Sequence, residues 1–367
     1  LGKIYEIFLT EQLVLLENDT IGLGKKKDCQ NRSVVTTPTE IVKYMVDKTL
    51  SKVCEGKTPS EILNISVADI ACGSGIFLEE AFAYLQDYCV QWYICNGQTD
   101  HLIETGIDLY KLPLQEKKDI LCSCIYGIDI DIHAVEVAKF SLLIKLIEDE
   151  TAPSVAEVVP ILPDLGDNIQ FGNSLVSQTE LNGISGANHQ MMEIAPFDWS
   201  TINNGCGFDV IIGNPPYVNT EGMHALLPSA EVEIYKKKYK TSHKQFDKYF
   251  IFIEQAINKI NENGLVCYIV PNKFFKIGAG EKLRNLIAKE RMLVSLDDFG
   301  DAQLFEDKTI YSSIILLSKA KQTSFVYSSV DSANKLWAGE EVSSIELNSS
   351  VLNKLPWRLT TDFEFLT

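Results

Sequence analysis

Phe208-Asp-Val-Ile-Ile-Gly-Asn-Pro-Pro-Tyr217 joins a short apolar run to a stiff turn. Val210, Ile211 and Ile212 in succession, ended by Gly213, make the pattern of a strand covered on both faces, as in a parallel sheet. Gly213 permits a turn or a close backbone approach, and Pro215 and Pro216 then restrict the path. The Asn214 amide and the Tyr217 ring are therefore expected at the carboxyl end of a strand, where open α/β sheets bind ligands. An amide oxygen and a proline carbonyl there can accept the two N–H bonds of a planar amine, while Tyr217 stacks on its ring. The plainer reading of the same residues is a proline-rich loop after a core strand.

Upstream, Ser66-Val-Ala-Asp-Ile-Ala-Cys-Gly-Ser-Gly-Ile-Phe-Leu78 reads as strand, glycine turn and helix, with Glu79 and Glu80 in the first helical turn. Gly73 and Gly75 let a ligand approach the backbone. The third glycine of a dinucleotide fingerprint is absent, and no Gly-Lys-Ser/Thr follows, so a ligand without a phosphate is favoured. Asp69 can hold backbone N–H groups or an ammonium beside the turn. Ile125 to Ile130 reads as a second strand, ending in acidic residues and followed by a helical pattern from Ala134 to Ile147. Asp129 is the candidate for a ribose diol, with Asp131 second; the structural alternative is a cap on the next helix. Asn173 closes a further short strand, either as a turn residue or as a contact to a base.

Alternating strand and helix patterns over 367 residues indicate an α/β fold, a mixed but mostly parallel sheet with helices on both faces. Nine cysteines without a CxxC pair and five scattered histidines argue against structural zinc, so no metal is expected. They suggest reduced thiols in a cytoplasmic protein. No apolar run approaches the length of a membrane span, and neither membrane nor oligomeric partner is called for. A net charge of −17 opposes tight DNA binding, which draws on Lys and Arg. The local exception is Lys236, Lys237, Lys238, Lys240, Lys244 and Lys248, interleaved with Tyr235 and Tyr239. These residues read as a track for a nucleic-acid backbone or as a solvated helix face.

The ordered set of segments resembles the S-adenosylmethionine-dependent DNA adenine-N6 methyltransferases of restriction–modification systems, closest to the Eco57I-like branch that joins methylase and nuclease in one polypeptide. The resemblance runs from about Val34 to Ser318. Thr37-Pro-Thr-Glu-Ile-Val42 is similar to the family's upstream cofactor segment, with Thr36 in place of the usual aromatic residue. Asp69 to Leu78 is similar to the methionine-end loop, with Ile70 where proline is commoner. Tyr126 to Asp131 and Phe171 to Leu175 follow, then Asn214 to Tyr217, Phe246 to Glu254 and Gly264 to Phe274.

The resemblance implies a Rossmann-like methyltransferase with S-adenosyl-L-methionine as cofactor and double-stranded DNA as partner of the full-length parent, acting as a monomer. It puts Thr37, Pro38 and Asp69 with Ala71, Cys72, Gly73, Gly75 and Phe77 at the methionine end. Asp129, Ile130 and Asn173 fall at the nucleoside end, and Asn214 faces the transferred methyl. Asn214, Pro215, Pro216 and Tyr217 form the catalytic loop, and Phe305 is the candidate for a second stacking ring. The expected organisation is a helical arm over residues 1–35 (Ile4, Phe8, Leu13, Leu16), a catalytic domain over 36–325, and the start of a truncated target-recognition domain over 326–367. Polar inserts are expected at Asn96 to Lys118 and Ser177 to Asn204. The competing functions are glutamine-amide methylation of a translation factor, cytosine-N4 or RNA methylation, and a non-enzymatic scaffold.

Overall fold

The computed structural model describes residues 11–15, 21–25 and 37–361, except 152–153, 156–157, 183–189, 306–309, 338–339 and 341. Two short strands come first, β1 (Glu11–Leu15) and β2 (Ile21–Lys25), paired antiparallel with Leu13 opposite Leu23. Over these two segments the chain is extended where a helical arm was expected. Ile21-Gly-Leu-Gly24 alternates with a period of two, which suits a strand, and two glycines weaken a helix. Ile4, Phe8 and Leu16 lie outside the described residues, as do Gly183 and Gly186 of the second insert.

The helix Thr39–Cys54 precedes β3 (Val67–Asp69), which leads into the helix Ile76–Cys95. The first polar insert folds as a small hairpin, β4 (Ile103–Gly106) with β5 (Leu109–Lys111), followed by the helix Leu114–Cys124. Next come β6 (Ile125–Asp129), the helix Ile132–Ile147, β7 (Ile169–Phe171) and β8 (Phe208–Gly213). Helices Ser229–Lys238 and Lys248–Lys259 lead to β9 (Ile260–Pro271) and, through the helix Glu281–Glu290, to β10 (Leu293–Gln303). The last strands are β11 (Tyr311–Ser318), β12 (Ser324–Ser329) and β13 (Ser343–Asn348).

Nine strands form one sheet in the order β13-β12-β10-β11-β9-β8-β3-β6-β7. Neighbours from β7 through β6, β3 and β8 to β9 are parallel, while β11 runs antiparallel between β9 and β10. The expected mixed α/β architecture is therefore present. Successive residues of the apolar runs feed opposite layers, as the strand period requires. Ala68 and Ile211 join one buried cluster, with the helix Lys248–Lys259, and Val67, Val210 and Ile212 join the other, with the helices Thr39–Cys54 and Ile76–Cys95.

The sheet does not stop near residue 325. β12 pairs parallel with β10, Leu296 opposite Tyr327, and β13 pairs antiparallel with β12. Farther on, the Trp357 N–H donates to the Phe275 carbonyl at 2.9 Å, and its ring stacks on Phe275. The stretch read as a separate module is thus continuous with the nine-stranded sheet, because β10 would otherwise leave its backbone groups unpaired at an edge.

Candidate active site

The chain goes from β3 to β6 and β7 on one side and returns to β8 on the other, so the strand order reverses at β3. A ligand crevice is expected above the carboxyl ends of strands at such a point. Asp69 ends β3 there, and its buried carboxylate accepts the Ala71 N–H at 3.0 Å. Among the described residues no lysine or arginine pairs with it; burial, followed by the nearby Asp129 charge, pushes its carboxyl up to about 8 against the pull of the Ala71 bond. Gly213, at the end of β8, faces the same carboxylate. A Cβ built there would lie 2.6 Å from Asp69 Oδ1, so this close approach requires glycine.

The glycine turn is held from β6. The Cys72 N–H donates to the Ile128 carbonyl at 3.0 Å and the Gly73 N–H to Asp129 Oδ2 at 2.8 Å. The other Asp129 oxygen accepts the Asp131 N–H at 2.8 Å. Burial raises the Asp129 carboxyl, opposed by these backbone bonds. Asp131 itself caps the helix Ile132–Ile147 through the His133 N–H at 2.9 Å, the structural alternative raised for it. Gly73 and Gly75 have φ of +53° and +90°, and nothing lies within 4 Å of a Cβ built on Gly73. Cys72 and Phe77 are buried beneath the turn, whereas Ile130 is exposed at its rim.

The structure joins the upstream segment to the catalytic loop across 177 residues: Asn214 Nδ2 donates to Thr37 Oγ1 at 3.0 Å. Pro38 then begins the helix Thr39–Cys54. Tyr217 is fixed by a hydrogen bond from its hydroxyl to the Ile269 carbonyl at 2.9 Å and by an edge contact with Tyr249. Tyr217 packs against one buried cluster and Phe305 belongs to the other. Phe305 is 3% exposed within the opposite apolar layer, packed in the same cluster as Phe299 and Leu304. Asn173 is also buried, with Nδ2 donating to Glu231 Oε1 at 3.0 Å and Oδ1 accepting the Leu175 N–H at 3.1 Å.

The Eco57I restriction-modification methylase model matches residues 123–305. The type II restriction enzyme and methyltransferase RM.Eco57I of Escherichia coli is 42% identical over 363 residues, 96% of this chain and 35% of that protein. Residues 123–305 belong to the Eco57I restriction-modification methylase family. The type II methyltransferase M.BstVI of Geobacillus stearothermophilus is 24% identical over 69% of this chain and 37% of its own length. The chain thus spans about a third of each of these relatives. Among solved structures, the DrdV–DNA complex shares the fold with a TM-score of 0.59 at 14% identity, covering 88% of this chain and 31% of that one. A nuclease-deletion mutant of the type ISP enzyme LlaGI shares it with a TM-score of 0.52 at 16% identity, over 81% of this chain and 24% of that one.

In the folded chain the lysine track is shorter than its sequence suggests. Tyr235 and Tyr239 are core residues and Lys248 is buried. Lys238 is tied to Glu180 at 2.8 Å and to the Leu175 carbonyl at 2.9 Å. Lys236, Lys237, Lys240 and Lys244 remain exposed, with Lys237 and Lys244 near Glu233 and Glu281. The reason is local: the helix Ser229–Lys238 turns Ala230, Val232, Ile234 and Tyr235 into the core and takes the neighbouring side chains with them. Glu231 escaped the sequence reading although it sits four residues before Tyr235, the spacing at which helical side chains meet. Among the described residues no cluster of three or more His, Cys, Asp or Glu could hold a metal, and no helix is long and apolar enough to cross a membrane.

Proposed function

We propose that the chain is the catalytic part of a restriction–modification enzyme that methylates the N6 amine of adenine in a specific DNA sequence, using S-adenosyl-L-methionine. The observation that carries this reading is Asn214 at the switch point of the sheet, its amide nitrogen tied to Thr37 beside the buried carboxylate of Asp69, with which no lysine or arginine pairs among the described residues. Its restriction–modification relatives support DNA as the substrate.

The donor set fits the cofactor. Asp69 suits an ammonium group, the open space at Gly73 admits a chain beside the backbone, and Asp129 retains acceptor capacity for a ribose diol after its two backbone bonds. When bound, S-adenosylmethionine supplies an electrophilic methyl group. The work of the chain is positioning. Adenine must leave the duplex, at a cost of about a few kcal/mol. Asn214 Oδ1 and the Pro215 carbonyl then accept its two amino hydrogens and draw the nitrogen towards a pyramidal geometry with a free lone pair. Tyr217 lies along the base face. Phe305 stacks on the other face only if it leaves its apolar cluster. Asn214 takes no proton; the nitrogen is strongly acidic after transfer and loses its proton to water, so no cysteine or tuned base is required.

The test is expression of the protein in a bacterial host without DNA methylation, followed by modification-sensitive long-read sequencing. N6-methyladenine confined to one short motif is expected. Asn214→Ala should abolish it, by about a thousandfold or more in purified protein, while calorimetric binding of S-adenosylhomocysteine persists. Methylcytosine, a methylated glutamine amide in a protein, or an active Asn214→Ala variant would each overturn the reading.

A further inference from the structure

Behind the expected nucleoside end lies a buried polar cluster that the proposed mechanism does not use. Glu231 is 1% exposed, and its Oε1 accepts from the Tyr235 hydroxyl and from Asn173 Nδ2, the latter at 3.0 Å. Lys248, 9% exposed, brings Nζ to 3.9 Å from the same oxygen and lies over the Tyr235 ring. Burial pulls the Lys248 ammonium down, while the charges of Glu231 and Asp129 raise it. A buried ion pair is weak evidence for stability, because well-packed apolar residues of similar volume often do as well. The neighbouring backbone is held with the same care. Gln255 Nε2 donates to the Ser174 carbonyl at 2.8 Å, the Tyr239 hydroxyl to the Leu175 carbonyl at 2.7 Å, and Ser174 Oγ to the Ile70 carbonyl at 2.7 Å.

We propose that Glu231 is a positioning residue for purine recognition: its carboxylate, held between Lys248 and Tyr235, locks the Asn173 amide with its oxygen as the edge offered to a 6-amino purine. An ionised carboxylate only accepts, so the Asn173 nitrogen must face Glu231. The Leu175 N–H donor on the other side requires the oxygen there, and it uses one of that oxygen's two lone pairs. The second is left for an amine. Asn173 lies just past the end of β7, after Gly172, and Phe171 pairs with Asp129 across the neighbouring strand, so the purine and ribose contacts adjoin. The inference rests on the S-adenosylmethionine reading and deepens it.

Its test compares calorimetric binding of S-adenosylhomocysteine with that of S-inosylhomocysteine, which lacks the 6-amine. The protein should prefer the adenosyl ligand by about tenfold, the worth of one good hydrogen bond. Glu231→Ala should erase that preference while leaving inosyl binding unchanged, and Glu231→Gln, which keeps an acceptor for Asn173, should restore part of it. Equal weakening of both ligands by Glu231→Ala would reduce Glu231 to a packing role and overturn the inference. Binding of neither ligand to the folded wild-type protein would instead sink the cofactor reading, and the inference with it. A crystal structure of the wild-type protein with S-adenosylhomocysteine decides the matter without any variant. Asn173 Oδ1 on the purine amine and Nδ2 on Glu231 are expected; an amide turned the other way, or an amine met by other groups, overturns the proposal.

Discussion

At the scale of the residue, Asp69 is a buried carboxylate with which no lysine or arginine pairs among the described residues, and in the proposed reading it holds the ammonium group of the cofactor. Its carboxyl sits at about 8 in the fold against an ordinary 3.8, so the folded state keeps a proton that the unfolded chain gives up between those values. Its contribution to stability is complete below the ordinary value and is lost as pH rises through about 8. Asp69→Asn removes the ionisation. The ligand-free variant should melt within about a degree of wild type near pH 4 and a few degrees above it near pH 9, while binding S-adenosylhomocysteine more weakly. Calorimetric scans across that range check this; a wild type that gained stability over the variant with rising pH would contradict it. Asp69 was legible in sequence because an acidic residue at a strand end beside glycines has a local signature. The bonding of Asn173 was not, since Glu231 reaches it from 58 residues away and no spacing rule connects them.

At the scale of the element, the helix Thr39–Cys54 links the catalytic loop to the far half of the sheet. Thr37, just before it, holds Asn214. Within it, Lys48 pairs at 2.5 Å with Asp297 of β10, which also accepts the Tyr44 hydroxyl at 3.0 Å. Asp297 is buried, so Lys48→Met leaves a carboxylate without its cation and should destabilise the protein by about 3 kcal/mol. Asp297→Asn in the same chain should recover part of that loss. Urea unfolding of the single and double variants measures both effects, and an unchanged midpoint for Lys48→Met would show that the pair does not hold the helix. Strands such as β8 and β6 were read correctly because apolar runs ending in glycine or acid admit few alternatives. The β1–β2 pair was missed because the three-residue spacing of Leu13 and Leu16 in the sequence favours a helix, and only pairing with β2 marks Glu11–Leu15 as a strand.

At the scale of the whole molecule, the parallel half of the sheet could be read from its motifs, whereas the end of the catalytic unit could not. The Ser324–Ser329 strand is short and serine-rich, and only its pairing with β10 identifies it as part of the same sheet. The segment after β13 is anchored twice. Trp357 packs against Phe274 and Phe275, and the buried Arg284 guanidinium donates to the Phe274 and Ile277 carbonyls of the catalytic side and, at 3.1 Å, to the Lys354 carbonyl. Arg284 has no acidic partner among these contacts, so its charge depends on the carbonyls that surround it. Trp357→Ala should therefore cost about 3 kcal/mol or more. Deletion of residues 326–367 should do greater harm, because it exposes the β10 edge and removes one of the three carbonyls that hold Arg284. The shortened protein is expected to aggregate or to unfold without a sharp transition, as seen by light scattering and circular dichroism. If the deletion at 326 instead gave a soluble protein with an unchanged unfolding midpoint, the catalytic unit would end where the sequence first suggested, and β12, β13 and Trp357 would be a separable attachment.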